Sequence, residues 1–241
     1  MSGANEKLFG RSARIADDRN SGEHWLSVSD LMAGLMMVFL FVSIALMRDA
    51  MIERDKIREV AVAYQENQVA LYEALMAEFE RDLRRWDAAI EQDTLSFQFK
   101  SPDVLFDIGK FTLKPSFQRI LDDFFPRYLA VLWNFRDSIN EVRIEGHTSS
   151  VWNQSTPEDQ SYFNNMELSQ GRTRTVLSYI YALLSRAEQR DWVKKHIAAV
   201  GFSSSRLILT PDGREDRKRS RRVSFRVITN AETQIRKILE Q

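Results

Sequence analysis

The chain has 241 residues, of which 44% are apolar and 28% are charged, and its formal net charge is zero. These values exclude a disordered chain and a transporter with many membrane spans, and no excess of positive charge points to nucleic acid. Cysteine is absent, which excludes disulfide bonds and thiolate metal sites. One small folded domain outside any membrane segment is therefore expected.

The first notable element is an apolar stretch from Val28 to Met47 that contains a single charged residue, Asp30. Its length is close to the roughly 20 residues that cross a hydrocarbon core, so it predicts one transmembrane helix at residues 25–47. No small-residue cleavage site follows it, and we expect it to remain as an anchor. Four basic residues lie close to it on either side, so charge alone does not set its orientation.

Asp30 is a candidate proton-binding residue. An aspartate at the centre of a membrane helix costs about 2.5 to 3.5 kcal/mol, and protonating a free carboxyl at pH 7 costs about 4 kcal/mol. Because these costs are similar, a small change of surroundings would charge or neutralise the group. Gly34 lies one turn away and would let a partner helix approach. The alternative is a helix cap in the headgroup layer, with Ser27 and Asp30 as a weak capping box and Trp25 as an interfacial anchor.

A long helical linker is predicted after the membrane segment, at residues 48–93. No glycine or proline occurs between Gly34 and Pro102, so one continuous helix is the simplest prediction. Apolar residues recur in it every three or four positions, at Ile57, Val60, Tyr64, Leu71, Leu75, Phe79, Leu83, Trp86 and Ile90. With Gln68 filling one gap, the mean spacing of about 3.67 residues predicts a nearly straight, coiled-coil-like rod over residues 28–90.

The narrow apolar stripe on this linker has to be covered by another surface. A second copy of the chain is one candidate, and it leads us to expect a parallel homodimer. Packing of the stripe against the chain's own C-terminal domain is the alternative that the sequence leaves open.

Beyond about residue 94 the periodicity changes to that of strands. Alternating segments occur at 95–100, 141–146, 197–202 and 223–228. Helical patterns fill the first two gaps, at 115–132 and 168–184. The order β-α-β-α-β-β predicts an α+β fold in which helices cover one face of a mixed sheet.

Four segments of this region, in order, resemble the OmpA-like peptidoglycan-binding domain. They read SPDVLFDIGKFTLKPS, IEGHTSS, NMELSQGRTRTVLSYI and RSRRVSFRV. The resemblance implies such a domain at 94–229 and a C-terminal tail at 230–241. It also implies that the diaminopimelate residue of a peptidoglycan stem peptide binds after GHT, at positions matched here by Asn165, Leu168 and Arg172. Arginine suits this role because its guanidinium makes two parallel hydrogen bonds to a carboxylate, and a helix N-terminus would add a favourable dipole.

One position departs from the family pattern. The family usually has aspartate directly after GHT, where this chain has Ser149, which we keep as a candidate contact. The loop that leads to Asn165 is longer than usual and carries Trp152, Glu158 and Asp159. We expect either that an acid from this loop replaces the missing one or that the wall is bound more weakly.

Purely structural roles are also open for these positions. Asn165 and Ser169 could cap a helix that begins near them. Arg172 could be an ordinary surface ion-pair donor.

A basic run precedes the last strand and comprises Arg214, Arg217, Lys218, Arg219, Arg221 and Arg222. Acidic residues interrupt it and no aromatic platform accompanies it, so we interpret it as a solvated loop rather than a nucleic-acid site. The three histidines are isolated from clusters with metal-ligand spacing. No nucleophile-base pairing or phosphate loop occurs, so we expect no enzyme activity, no metal and no cofactor.

The order of membrane helix, helical connector and OmpA-like domain resembles the B subunits of ion-driven rotary stators, such as MotB. The segment HWLSVSDLMAGLMMVFLFV is similar to the ZorB family of Zorya anti-phage systems, which implies a role in defence. The resemblance implies a proton-driven motor in the inner membrane, with Asp30 as proton carrier and a multi-span ZorA/MotA-like partner. It also implies a cytoplasmic tail at 1–24 and a periplasmic C-terminal domain. A flagellar stator and a passive tether to the wall are the alternatives.

Overall fold

The computed structural model describes residues 10–100, 105–107, 109–153 and 155–230, with the backbone alone for 10–27, 60, 61, 63 and 64. The side chains of Trp25 and Ser27, on which the capping alternative for Asp30 depends, lie outside the described part, as do residues 1–9 and 231–241. The chain divides into two units, Met1–Arg58 and Glu59–Gln241.

The first unit is helical and contains the first part of helix α1, which runs from Gly10 to Leu83. From Val28 onward α1 is long and apolar enough to cross a membrane, and no residue of its most apolar window is buried inside the structure. Side chains such as Leu31, Met36 and Phe39 are exposed along it. An uncovered apolar helix of this length is suited to lipid and to partner helices. The predicted N-terminal apolar helix is present, and the bounds 25–47 of a membrane span stay a prediction.

The second unit has an α+β fold, as predicted. Its elements are the end of α1, β1 (Ala88–Glu91), β2 (Ser96–Phe99), α2 (Pro115–Asn134), β3 (Ile139–His147), α3 (Glu158–Ala182), α4 (Ala187–His196), β4 (Ile197–Gly201), α5 (Arg217–Ser220) and β5 (Arg222–Thr229). Within the described residues the strands form one sheet in the order β1-β2-β5-β3-β4. Strands β3 and β4 are parallel, and the other neighbours are antiparallel. The four predicted strands and both predicted helices are present, whereas β1, α4 and the short α5 were not predicted.

One face of the sheet is apolar and the other is polar. Phe97 of β2 and Phe225 of β5 are paired in register, and both contact Phe124 of α2, at ring-centroid distances of 4.6 and 5.1 Å. Ser224 and Glu145 are aligned across β5 and β3 and lie on the opposite face. This alternation follows from the two-residue period of a strand, and it places the helices on one side of the sheet.

The end of α1 belongs to the core of the second unit. Leu71, Leu75 and Phe79 are each exposed by 1% or less, and the Phe79 ring lies 5.3 Å from that of Phe97. From Leu71 to Trp86 the stripe therefore packs on the chain's own domain. The expectation that this part of the stripe needs a second copy is wrong, because its apolar surface is already covered.

Helix α1 ends at Leu83, before the predicted end at residue 90, and Ile90 belongs to β1 rather than to the helical stripe. The chain turns through Asp87, whose φ is +47°, in the left-handed region that aspartate tolerates better than most residues. The turn buries Trp86. No glycine or proline occurs at this break, and the helical spacing of apolar residues continues through it. The sequence therefore gives no sign that the helix ends here.

Candidate functional site

The site lies where α3 meets the ends of β3 and β4. Gly146 and Gly201 are paired across these strands. A Cβ atom on Gly146 would lie 2.8 Å from the Ser169 carbonyl oxygen, and one on Gly201 would lie 2.5 Å from the Gln170 backbone nitrogen. Both contacts are closer than packed atoms allow, so the two glycines permit the helix to lie directly on the strands.

Buried polar side chains follow the face of α3 that meets these strands. They are Asn165, Ser169, Arg172 and Thr173, each exposed by 8% or less. Asn165 Nδ2 donates a hydrogen bond to the Ser149 carbonyl at 3.1 Å, so the fold brings these two predicted site residues together. Leu168 is half-buried on the next turn.

Arg172 holds a turn against α3. Its Nε donates to the Lys110 carbonyl at 3.0 Å and its Nη2 to the Asp107 carbonyl at 3.4 Å. The guanidinium carbon lies 4.8 Å from the centre of the Phe106 ring. Arg172 is therefore a buried, oriented cation rather than a residue of the surface.

Helix α3 begins at Glu158, not near residue 168 as predicted. Asn165 and Ser169 lie inside it, so the capping alternative is wrong for both. The helix N-terminus is also too far along the chain to act on a ligand of Arg172, since dipole effects are confined to the first turn. Glu158 and Asp159 occupy that first turn, where acidic side chains favour an earlier helix start.

The acid that contacts the turn after β3 is Glu215. Its Oε1 accepts a hydrogen bond from the Ser150 backbone N–H at 3.0 Å and its Oε2 accepts one from Ser150 Oγ at 2.5 Å. Glu158 and Asp159 are exposed instead. Sequence reasoning missed Glu215 because 65 positions separate it from Ser150; the signal was an acid that interrupts the basic run.

The turn is held from two sides. The Ser149 carbonyl and the Ser150 N–H belong to one trans peptide and point in opposite directions. Asn165 binds the carbonyl and Glu215 binds the N–H. The backbone at this position is thereby fixed by two different elements.

A buried ionisable pair lies on the polar face of the sheet beside this turn. His147 Nε2 is 3.4 Å from Glu145 Oε2, and Arg206 Nη1 is 3.6 Å from Glu145 Oε1. Burial lowers the pKa of His147, and the positive charges of Arg222 and Arg206 lower it further. Burial by itself raises the pKa of Glu145, but the contacts with His147, Arg206 and Arg226 outweigh it and hold that pKa below its ordinary value. The pair is therefore a neutral imidazole beside an ionised carboxylate.

Asp30 lies in the first unit, on the apolar part of α1, and its side chain is exposed. Gly34 is one turn further along, and a Cβ atom built there would meet nothing within 4 Å. This helix face is open to a partner. Among the residues that the structure describes, no group of three or more histidine or acidic side chains is placed to hold a metal ion.

No protein-family model matches the chain. In structure it is similar to a MotB-like protein from Desulfovibrio vulgaris, with a TM-score of 0.49 and 21% identity over 71% of this chain and 94% of that one. It is also similar to the cell wall anchor of the T6SS from Pseudomonas aeruginosa, with a TM-score of 0.44 and 24% identity over 64% of this chain and 96% of that one.

In sequence, the chain is 57% identical to the Zorya protein ZorB of Escherichia coli over 236 residues, which are 98% of this chain and all of that relative. The aligned residues therefore span both units. The chain belongs to the ZorB family.

Proposed function

We propose that this protein is the peptidoglycan-anchored B subunit of a proton-driven rotary motor in the bacterial inner membrane, acting in a Zorya anti-phage system. The observation that carries the proposal is a single carboxylate, Asp30, exposed on an uncovered apolar helix in a chain of the ZorB family. An acid on such a helix is a candidate for ion transfer because it is costly there unless it has a role.

The proposed topology places residues 1–24 in the cytoplasm, the span at 25–47, and the linker and C-terminal domain in the periplasm. The partner is a multi-span subunit of the ZorA/MotA type that surrounds two copies of the apolar helix. The exposed apolar side chains of α1 suit this arrangement, because a ring of helices would cover what the chain itself leaves open.

Protons would bind to and leave Asp30 as the partner ring moves. Each neutralisation lowers the cost of placing this helix face against an apolar partner surface, and each deprotonation restores that cost. A proton that crosses a potential of 100 mV releases about 2.3 kcal/mol, which is several times the thermal energy and enough to bias a step. In a Zorya system the rotation would power or signal to a cytoplasmic effector that attacks invading DNA.

Anchoring to the wall is assigned to Arg172, Asn165, Leu168 and Ser149. Arg172 is oriented by its carbonyl contacts, and a held guanidinium loses little freedom when it binds a carboxylate of diaminopimelate. Asn165 fixes the turn at Ser149, about two helical turns before Arg172. The domain would thereby hold the motor stationary while the partner turns.

Replacing Asp30 by asparagine tests the motor. The neutral isostere keeps size and insertion but cannot release a proton, so we expect Asp30→Asn to abolish protection of cells that carry the complete defence system. Asp49→Asn, at an exposed position of α1 just beyond the apolar stretch, is the matched control and keeps protection. Phage plaque counts measure the outcome, and membrane fractionation shows that both variants insert.

Full protection by Asp30→Asn would reduce the protein to a passive tether. Equal loss in both variants would point to a general defect of the helix instead.

A further inference from the structure

The loop between β3 and α3 has an unusual composition for this chain. No charged residue occurs between His147 and Glu158, although 28% of the whole chain is charged. Apart from Pro157, the loop consists of hydroxyl and amide residues around Val151 and Trp152, which are 36% and 38% exposed. It thus combines one large aromatic ring with neutral hydrogen-bonding groups.

The chain on both sides of Trp152 is held by hydrogen bonds. Two residues before it, Ser150 makes two hydrogen bonds to Glu215. One residue after it, Asn153 Oδ1 accepts hydrogen bonds from Ser155 N at 3.0 Å and from Thr156 Oγ1 at 2.6 Å. A side chain carried by such a held segment costs less backbone entropy when a ligand covers it than one on a free loop would.

The position of Trp152 matches the length of a stem peptide. It is three positions after Ser149, so the two Cα atoms are at most about 11 Å apart. In peptidoglycan, two amino acids and a lactyl ether separate diaminopimelate from the sugar, which is also on the order of 10 Å. A stem peptide whose diaminopimelate lies beside Ser149 is therefore long enough to bring its sugar to the Trp152 ring.

We propose that Trp152 packs against a pyranose ring of the glycan strand, so that the domain recognises the sugar together with the stem peptide. The C–H bonds on one face of a pyranose carry the partial positive charge that the face of an indole attracts, and sugar hydroxyls match the neutral side chains of the loop. The inference rests on the proposed binding of peptidoglycan. It adds the glycan as a second part of the ligand, read by the inserted loop.

Two soluble ligands test this contact with the full-length chain in detergent. One is the tripeptide L-Ala-γ-D-Glu-diaminopimelate, and the other is the same peptide on its N-acetylglucosamine–N-acetylmuramic acid disaccharide. Calorimetry is expected to show that the wild-type chain binds the disaccharide form about three- to tenfold more tightly, the range expected for one stacked ring. Trp152→Ala and Trp152→Leu remove this preference and leave the affinity for the tripeptide unchanged.

Phe163→Ala is the matched control, because Phe163 is an aromatic side chain of the neighbouring helix that is 69% exposed. This variant keeps the preference. Trp152→Leu retains apolar packing in the loop, so a fold defect in Trp152→Ala would not obscure the result. Tripeptide binding without a wild-type preference for the disaccharide form, or a preference that survives in Trp152→Leu, would overturn the inference while leaving the peptide site intact. Failure of both ligands to bind would remove the peptidoglycan site itself.

Discussion

The buried pair of His147 and Glu145 is expected to make the stability of the second unit depend on pH. Both are almost fully buried, at 3% and 4% exposure, and the pKa of each lies below its ordinary value. As the pH falls, the unfolded chain therefore takes up protons at these groups at a higher pH than the folded chain does. The stability that each group contributes is fully present above its ordinary pKa and is lost as the pH falls through its pKa in the folded chain.

We expect the melting temperature of the full chain in detergent to fall once the pH drops below 6.5, the ordinary pKa of histidine, and to fall further below 4.5, that of glutamate. His147→Gln removes the first part of this dependence, because glutamine does not titrate. His196→Gln controls for the loss of an imidazole elsewhere in the domain. Thermal melts at a series of pH values measure the effect, and an unchanged slope in His147→Gln would assign it to other groups.

Single residues also show what sequence could and could not predict about the site. Asn165 and Arg172 were predicted from the resemblance of a local sequence motif; the structure buries both on α3, and their role in binding stays a prediction. Glu215 was not predicted, because its contact with Ser150 is created only when β5 enters the sheet beside β3. The close contact of Gly146 with α3 could likewise not be predicted from the local sequence, since it depends on the pairing with Gly201 in another strand.

Among the elements, the end of α1 packs as part of the core of the second unit. Besides its buried apolar residues, it carries acidic residues that form ion pairs with α2. Arg127 Nε lies 2.6 Å from Glu78 Oε1 and its Nη1 lies 2.9 Å from Asp82 Oδ2, while the guanidinium covers the Phe79 ring at 4.7 Å. Because Arg127 contacts two acids from a fixed position, these ion pairs are stronger than an isolated surface ion pair.

Phe79→Ala should destabilise the domain by about 3 to 5 kcal/mol, because it leaves a cavity among buried aromatic rings. The oligomeric state of the protein should not change, since Phe79 is covered by its own chain. Chemical denaturation and sedimentation of the full chain in detergent measure the two quantities. Phe163→Ala is the exposed control and should change stability by less than about 0.5 kcal/mol. Dissociation of an oligomer at unchanged stability would show instead that Phe79 lies between two copies.

Strand periodicity predicted β2, β3, β4 and β5 because their alternation is a property of the local sequence. The hairpin of β1 was missed for a different reason. Its two turns use Asp87 and Leu95 in the left-handed region, and leucine gives no sign of a turn. Only the tertiary gain from burying Trp86, Phe97 and Phe99 makes that backbone acceptable.

At the scale of the whole molecule, membrane insertion, ion transfer and wall binding are assigned to residues far apart in the chain. The proposed roles of Asp30 and Arg172 lie in different units. They should therefore be separable by mutation.

Arg172→Ala should abolish pull-down of the full chain by purified cell-wall sacculi, because the diaminopimelate carboxylate loses its partner. It should still co-purify with the multi-span subunit. Arg174→Ala, an exposed arginine on the same helix, is the control and should bind sacculi normally. Asp30→Asn should also bind sacculi normally. Retained binding in Arg172→Ala would exclude that residue from the site.

The burial of Leu71, Leu75 and Phe79 restricts where the stalk can change length. One inserted residue turns everything beyond it by about 100° around the helix axis, so an insertion within this stretch would rotate hydrophobic side chains out of the core. Gln68 marks the upstream limit, since its side chain already donates hydrogen bonds to the carbonyls of Gln92 and Asp93. We therefore expect changes in the length of α1 to be tolerated only in the chain before Gln68.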